Sequence, residues 1–263
     1  MSIFDLRAQI PKQQRLLLEI GGLIGFLVLW QLVAMRINSP AILPSPLVVL
    51  QSFPELHFQD FLVRNALFSI KINLLGYFQA VLISLPLGMI IGLFTPVGAV
   101  VNRYVDAVRY IPLTAVTGLF IAWFGIYLNM KVQFLAFGIF VYLLPVVVQR
   151  VKEVDDVYVQ TAETLGATRW QTIVRVFIPG VLSKLSDDIR VLTAISWTYI
   201  IVAEMVNNEG GIGALIFRAA RQSRLDKVFA VLFVIIAIGI IQDKIFLWLD
   251  RRMFGFKYAK EGE

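Results

Sequence analysis

The chain has 263 residues, 58% of them hydrophobic and only 16% charged; soluble domains carry about a quarter charged residues, so that class is excluded. With no cysteine and one histidine, His57, there is no disulfide framework, no thiolate metal site and no histidine metal cluster. The net charge of +6 is, in so apolar a chain, first a signal of membrane topology and not of nucleic-acid binding.

In chain order, residues 1–18 predict an interfacial helix, with Ile3, Phe4 and Ile10 apolar and Arg7, Lys12 and Arg15 basic. A first membrane span follows over 19–35. No small-residue cleavage site comes after it, so it is expected to remain as an anchor. Residues 38–65 hold Pro40, Pro44, Pro46 and Pro54 and predict an extended loop. The second span, 67–94, begins with Lys71 and Asn73 and also carries Gln79 and Ser84. The third and fourth spans are predicted over 111–127 and 132–148.

A polar stretch, 153–180, then interrupts the apolar runs. It predicts a short helix from Val157, a turn at Gly166, and a second helix that Pro179 ends. Its apolar side would pack on the membrane domain, leaving its polar side free for a soluble partner. The fifth span, 189–206, is the most polar. Arg190, Thr193, Ser196, Trp197, Thr198, Tyr199 and Glu204 fall within it. Ionisable groups at membrane depth are costly and face a bundle interior or water, so this span is the expected wall of a pathway. Arg190, Thr193 and Trp197 share one helical face. Asn73 and Gln79 are the matching candidates in the second span. Arg218, Arg221 and Arg224 recur every three residues and predict one basic helical face. The sixth span covers 228–249, and 251–263 is a tail.

The spans are continuously apolar and do not alternate, so the fold class is an all-α polytopic membrane protein with six transmembrane helices, not a barrel. With both termini cytoplasmic, fourteen Lys and Arg residues near the spans lie inside and seven outside. That agrees with the positive-inside rule. The outside excess is local, with Arg218, Arg221, Arg224 and Lys227 between the fifth and sixth spans.

Read from Gly166, the polar stretch has Gln160, Thr161 and Ala162 four to six residues before it, and Val176, Phe177, Ile178 and Pro179 ten to thirteen after it. This resembles the E-A-A, three residues, Gly, nine residues, I-x-L-P signature of permease subunits of bacterial ABC importers, with Gln160 in place of Glu and Thr161 in place of Ala. Further segments resemble the branch that handles nitrate, sulfonates, taurine and bicarbonate. They are I-L-P-S-P at 42–46, R-Y-I-P at 109–112, A-W-F-G-I at 122–126, V-A-E at 202–204, G-G-I-G-A-L-I at 210–216 and L-D-K-V-F-A at 225–230.

The resemblance implies a type I importer-like permease fold over 19–250 in the bacterial inner membrane. It implies a homodimer served by two ATP-binding subunits and by a periplasmic or lipid-anchored substrate-binding protein. Gln160, Thr161, Ala162, Glu163, Gly166, Ala167, Thr168, Arg169, Trp170 and Pro179 would form the coupling segment that docks on the ATPase. The chain has no G-x-x-x-x-G-K-[ST] loop. It is therefore expected to be non-catalytic, with no cofactor of its own and with ATP and Mg on the partner subunit. The basic series would hold a binding protein or concentrate anions at the pore mouth. A small anion is the expected cargo. A permease for a vitamin precursor and an ATP-independent secondary carrier are the alternatives.

Overall fold

A computed structural model describes residues 10–207 and 209–258. Among these, every regular element is a helix. Arg7 and the rest of 1–9, and Lys260 with the remainder of the tail, lie outside the described residues. Four helices are long and apolar enough to cross a membrane: α1 (Lys12–Ile37), α4 (Leu62–Leu93), α7 (Leu128–Lys152) and α12 (Leu225–Met253). A fifth long helix, α10 (Ile178–Glu204), carries Lys184, Asp187, Asp188, Arg190 and Glu204. The six segments appear in the order read from the sequence.

The centre of the bundle is the pair α4 and α7. They run parallel, because Gly76 lies against Leu135, Gly88 against Val147 and Gly92 against Val151, all at the same sequence offset. Small residues make this approach possible. Ser69, Asn73, Gly76, Ala80, Ser84 and Gly88 recur at helical spacing down one buried face of α4. α10 returns antiparallel against α7, with Tyr199 near Gly138 and Asp188 bound to Arg150. α12 covers α10. α1 is the most peripheral helix. It is fixed at Trp30, which lies 5.5 Å from the Phe229 ring and 6.0 Å from Phe233 and donates to the Pro44 carbonyl at 3.0 Å.

Several boundaries differ from the expected ones. Residues 12–18 run without a break into α1. The proline-rich loop is not extended: α2 (Pro46–Gln51) and α3 (Phe53–Phe58) occupy it. Pro46 and Pro54 sit in first turns, where no N–H is needed, and the Ser45 side chain caps α2. The third span is a short helix, α6 (Leu113–Phe124), bent by 102° from α5 (Thr95–Val108). Pro112 stands at this break and favours an extended residue before it.

Pro179 ends nothing. Helix α9 (Arg169–Thr172) passes through a π turn, Ile173–Phe177, into α10, which continues to Glu204. The Ile178 N–H reaches back to the Ile173 carbonyl. The wider turn accommodates a proline that would otherwise clash with the carbonyl four residues earlier.

Candidate functional site

At the end of the bundle where α4 and α7 finish, helix α8 (Asp156–Thr164) and α9 form a compact hairpin. Asp155 starts α8, its side chain accepting from Val157 N–H at 2.9 Å. At its end Ala167 N–H donates to the Ala162 carbonyl and Gly166 N–H to that of Glu163, both at 2.9 Å. This is a Schellman turn, which needs a left-handed residue after the cap. Gly166 supplies it with φ +76°. A Cβ at Gly166 would meet nothing within 4 Å, so glycine is needed here for backbone conformation and not for space. Thr168 and Gln171 then close a reciprocal capping box that starts α9.

The structure brings the signature residues together. Thr161 and Ala162 on α8, and Pro179 on α10, line one groove of about 650 Å³ with Leu165, Arg175 and Tyr158. Gln160, Glu163, Thr168, Arg169 and Trp170 are exposed, and Ala167 is half-buried. Leu165 is 81% exposed and Trp170 70%. The capped hairpin thus holds two large apolar side chains out from the bundle.

Next to the hairpin, α7 is tied to α10 by charges that sequence reasoning left without a role. Arg150 on α7 grips Asp188 on α10 through two bonds, 2.7 and 2.8 Å, and Glu153 at 2.5 Å. Lys184 donates to the Glu153 carbonyl. The adjacent guanidinium and Gln149 hold the Glu153 carboxyl below the usual carboxylate range.

Inside the bundle, Asn73 and Ser196 exchange hydrogen bonds at 2.9 and 3.2 Å, and both are buried. Thr193 donates to the Ile189 carbonyl. Gln79 pairs with Gln133 on α7 at 2.8 Å. Arg190 and Trp197 turn to α12, where they bind Asp243 at 2.5 Å and Gln242 at 2.9 Å.

Glu204 is fully buried. Its carboxylate accepts from Ser69 at 2.6 Å and from Gly213 N–H at 2.8 Å, at the start of α11 (Ile212–Arg221). Ser69 in turn accepts from Ile212 N–H at 2.8 Å, and Asn65 from Gly211 N–H at 2.7 Å. The V-A-E and G-G-I-G segments, noted separately in the sequence, are thus one structure. Its partners Asn65 and Ser69 carried no local signal.

Arg218, Arg221 and Arg224 do not form one basic face. α11 stops at Arg221, and Ser223, at φ +56°, turns the chain before Arg224. Arg221 lies over the Phe217 ring at 4.5 Å. Arg224 is engaged by Glu55 and Asp226, each at 2.8 Å, while Lys227 binds Glu55 and Asp60 at 2.8 and 2.6 Å. This cluster pins α3 to the start of α12. Arg224 and Lys227 hold the Glu55 carboxyl down at about 2 from its ordinary 4.5. Such a depressed group stabilises the fold above its ordinary pKa, and the contribution fades as pH falls toward the folded value. Glu55→Gln should therefore lower Tm at pH 7, and the gap to wild type should narrow from pH 5 to pH 3. A gap independent of pH would show that the pairing contributes nothing.

Comparison with known proteins places this architecture. Residues 84–255 match the family described as binding-protein-dependent transport system inner membrane component, and the chain belongs to it. It is the permease subunit of an ABC importer. An ABC transporter permease protein of Methanocaldococcus jannaschii is 30% identical over 247 residues, 92% of each chain. The taurine transport system permease protein of Escherichia coli is 28% identical, over 92% of this chain and 90% of the relative. The bicarbonate transport system permease protein of Synechococcus elongatus is 26% identical, over 91% and 90%. The fold is that of type I importer permeases. An inward-facing structure of the MetNI methionine ABC transporter superposes with a TM-score of 0.67 at 18% identity, covering 76% of this chain and 98% of that one.

Proposed function

We propose that this chain carries a small anion, a sulfonate, taurine, nitrate or bicarbonate, inward across the bacterial inner membrane. It works as a homodimer with two ATP-binding subunits inside and a substrate-binding protein outside. The observation that carries this reading is the capped α8–α9 hairpin with Leu165 and Trp170 held out from it. Relatives that carry taurine, sulfonates and bicarbonate supply the substrate class.

The hairpin faces the cytoplasm in this reading, as do both termini. The ATPase partner supplies hydrolysis, and its ATP and Mg sites lie wholly on that subunit. Closure of the ATP-binding pair displaces the hairpins. The Arg150–Asp188 clamp transmits that displacement to α7 and α10, and the bundle alternates between inward-open and outward-open states. The pathway runs along the polar residues of α4, α7 and α10, with Asn73, Gln79, Thr193 and Ser196 on its course.

Tagged chain purified in mild detergent from its native host should bring down an ATPase and a binding protein in stoichiometric amounts. Recovery alone, with transport in liposomes that needs no ATP, would make it a carrier instead. Trp170→Ala should cut ATP-driven uptake by about 30-fold, since an interface hot spot contributes ~2 kcal/mol or more. The melting temperature of the isolated chain should not change, because Trp170 is 70% exposed. Uptake at wild-type level would remove the hairpin from the coupling interface.

A further inference from the structure

At the end of the bundle opposite the hairpin, a cavity of about 690 Å³ opens between the first turns of α4 and the α10–α11 connection. Three cations line it: Arg64 and Lys71 from α4, and Arg218 from α11. Arg64 and Lys71 are seven residues apart and share a helical face. Among the described residues, none of the three side chains takes part in a hydrogen bond or an ion pair. Of the two acids in the wall, Asp60 is already taken by Lys227 at 2.6 Å. Glu209 is the remaining counter-charge. A fourth cation lies one layer back. Lys131 is fully buried, its Nζ has no hydrogen-bond partner, and it sits 5.3 Å from the centroid of Phe68, a wall residue.

We infer that this cavity binds a small oxyanion or sulfonate, a receiving site at the outer mouth of the pathway built from Arg64, Lys71 and Arg218. It deepens, and rests on, the reading of the chain as an anion importer. Three physical arguments favour an ion over a docking protein. The surface is concave, with a volume in the range of small-molecule sites. Lys71 stands nine residues inside α4, about 13 Å along the helix from Leu62, beyond the reach of a flat docking surface. An exposed lysine at that depth of a membrane helix is costly unless water or an anion meets it, and a wall with three cations and one free carboxylate favours the anion. The outer basic residues therefore act as a set different from the one that sequence spacing suggests. Arg218 belongs to it, while Arg224 is spent on Glu55 and Asp226.

The test is equilibrium dialysis of radiolabelled methanesulfonate against the full-length chain, purified with its ATP-binding subunits but stripped of the substrate-binding protein, and held in lipid nanodiscs. Binding should be saturable and uncompeted by dimethyl sulfone, its neutral isostere. It should weaken at least tenfold in R64Q/K71Q/R218Q and persist in R64K/K71R, which keeps the charges and controls for folding. No saturable binding by wild type, or equal binding by the triple variant, overturns the site. The site also falls if R64Q/K71Q raises the half-saturating concentration of binding protein in an ATPase assay and leaves methanesulfonate binding unchanged. That outcome makes the cavity a protein dock. Because dialysis needs no ATP-driven uptake, failure of the importer reading shows separately, as absence of a co-purifying ATPase.

Discussion

Leucine at position 88 is expected to leave no folded protein. Gly88 lies where α4 touches α7, and a Cβ built there would come within 2.6 Å of both Cβ and Cγ1 of Val147 and 3.4 Å of the Leu144 carbonyl oxygen. The neighbours are a β-branched side chain, stiff about χ1, and a backbone atom, so neither can swing aside. Alanine should already force the helices apart, at about 1–3 kcal/mol. Leucine adds three further carbons to a contact with no free volume. Gly76 and Gly92 meet Leu135 and Val151 at similar distances, so a shift at Gly88 cannot be absorbed locally. Size-exclusion chromatography after detergent extraction should show aggregate for Gly88→Leu and a monodisperse peak of lowered Tm for Gly88→Ala. Moving the glycine across the contact, G88A/V147G, should recover most of the loss, less about 1 kcal/mol for a glycine inside α7. Wild-type melting of Gly88→Leu would mean that the two helices do not approach as closely as they do here.

This stripe shows what the sequence conceals. Ser69, Asn73, Gly76, Ala80, Ser84 and Gly88 repeat at helical spacing, yet the run around them is apolar on every side. A membrane helix presents apolar residues to lipid as well as to its neighbours, so the contrast that reveals the inner face of a soluble helix is missing. Four of the spans were legible because length and composition alone report them. The α8–α9 hairpin was legible because Gly166 and the polar residues before it act within one turn. The bend at Pro112 was marked by its proline, but the run 111–127 is apolar enough to read as a single span. Pro179 misled, because a proline normally stops a helix and only the π turn before it lets α10 continue. The Arg218, Arg221 and Arg224 series misled in another way: equal spacing implies one face only while the helix lasts, and Ser223 breaks it. Arg190 and Trp197 do share a side of α10, but the partners that give them meaning, Asp243 and Gln242, lie 53 and 45 residues away.

A longer-range pairing still is Glu204 with Ser69, 135 residues apart, and Glu204→Ala should damage the fold more than the loss of any surface charge. The carboxylate accepts two buried donors, the Ser69 hydroxyl and Gly213 N–H. Alanine leaves both without an acceptor, at about 1–3 kcal/mol each. No rearrangement of α11 can compensate: a Cβ at Gly213 would already collide with the Ile201 carbonyl, so the chain there has one way to pack. Tm should fall by about 5 °C or more, and the Gly210–Gly211 connection should become open to proteolysis. Glu204→Gln keeps one acceptor oxygen and should fall between wild type and alanine. The coupling is tested by the double variant. In S69A/E204A no serine hydroxyl is stranded, so its loss should be smaller than the sum of the two single losses. Strict additivity would mean that Glu204 and Ser69 act independently, and that α4, α10 and α11 are not joined through this carboxylate.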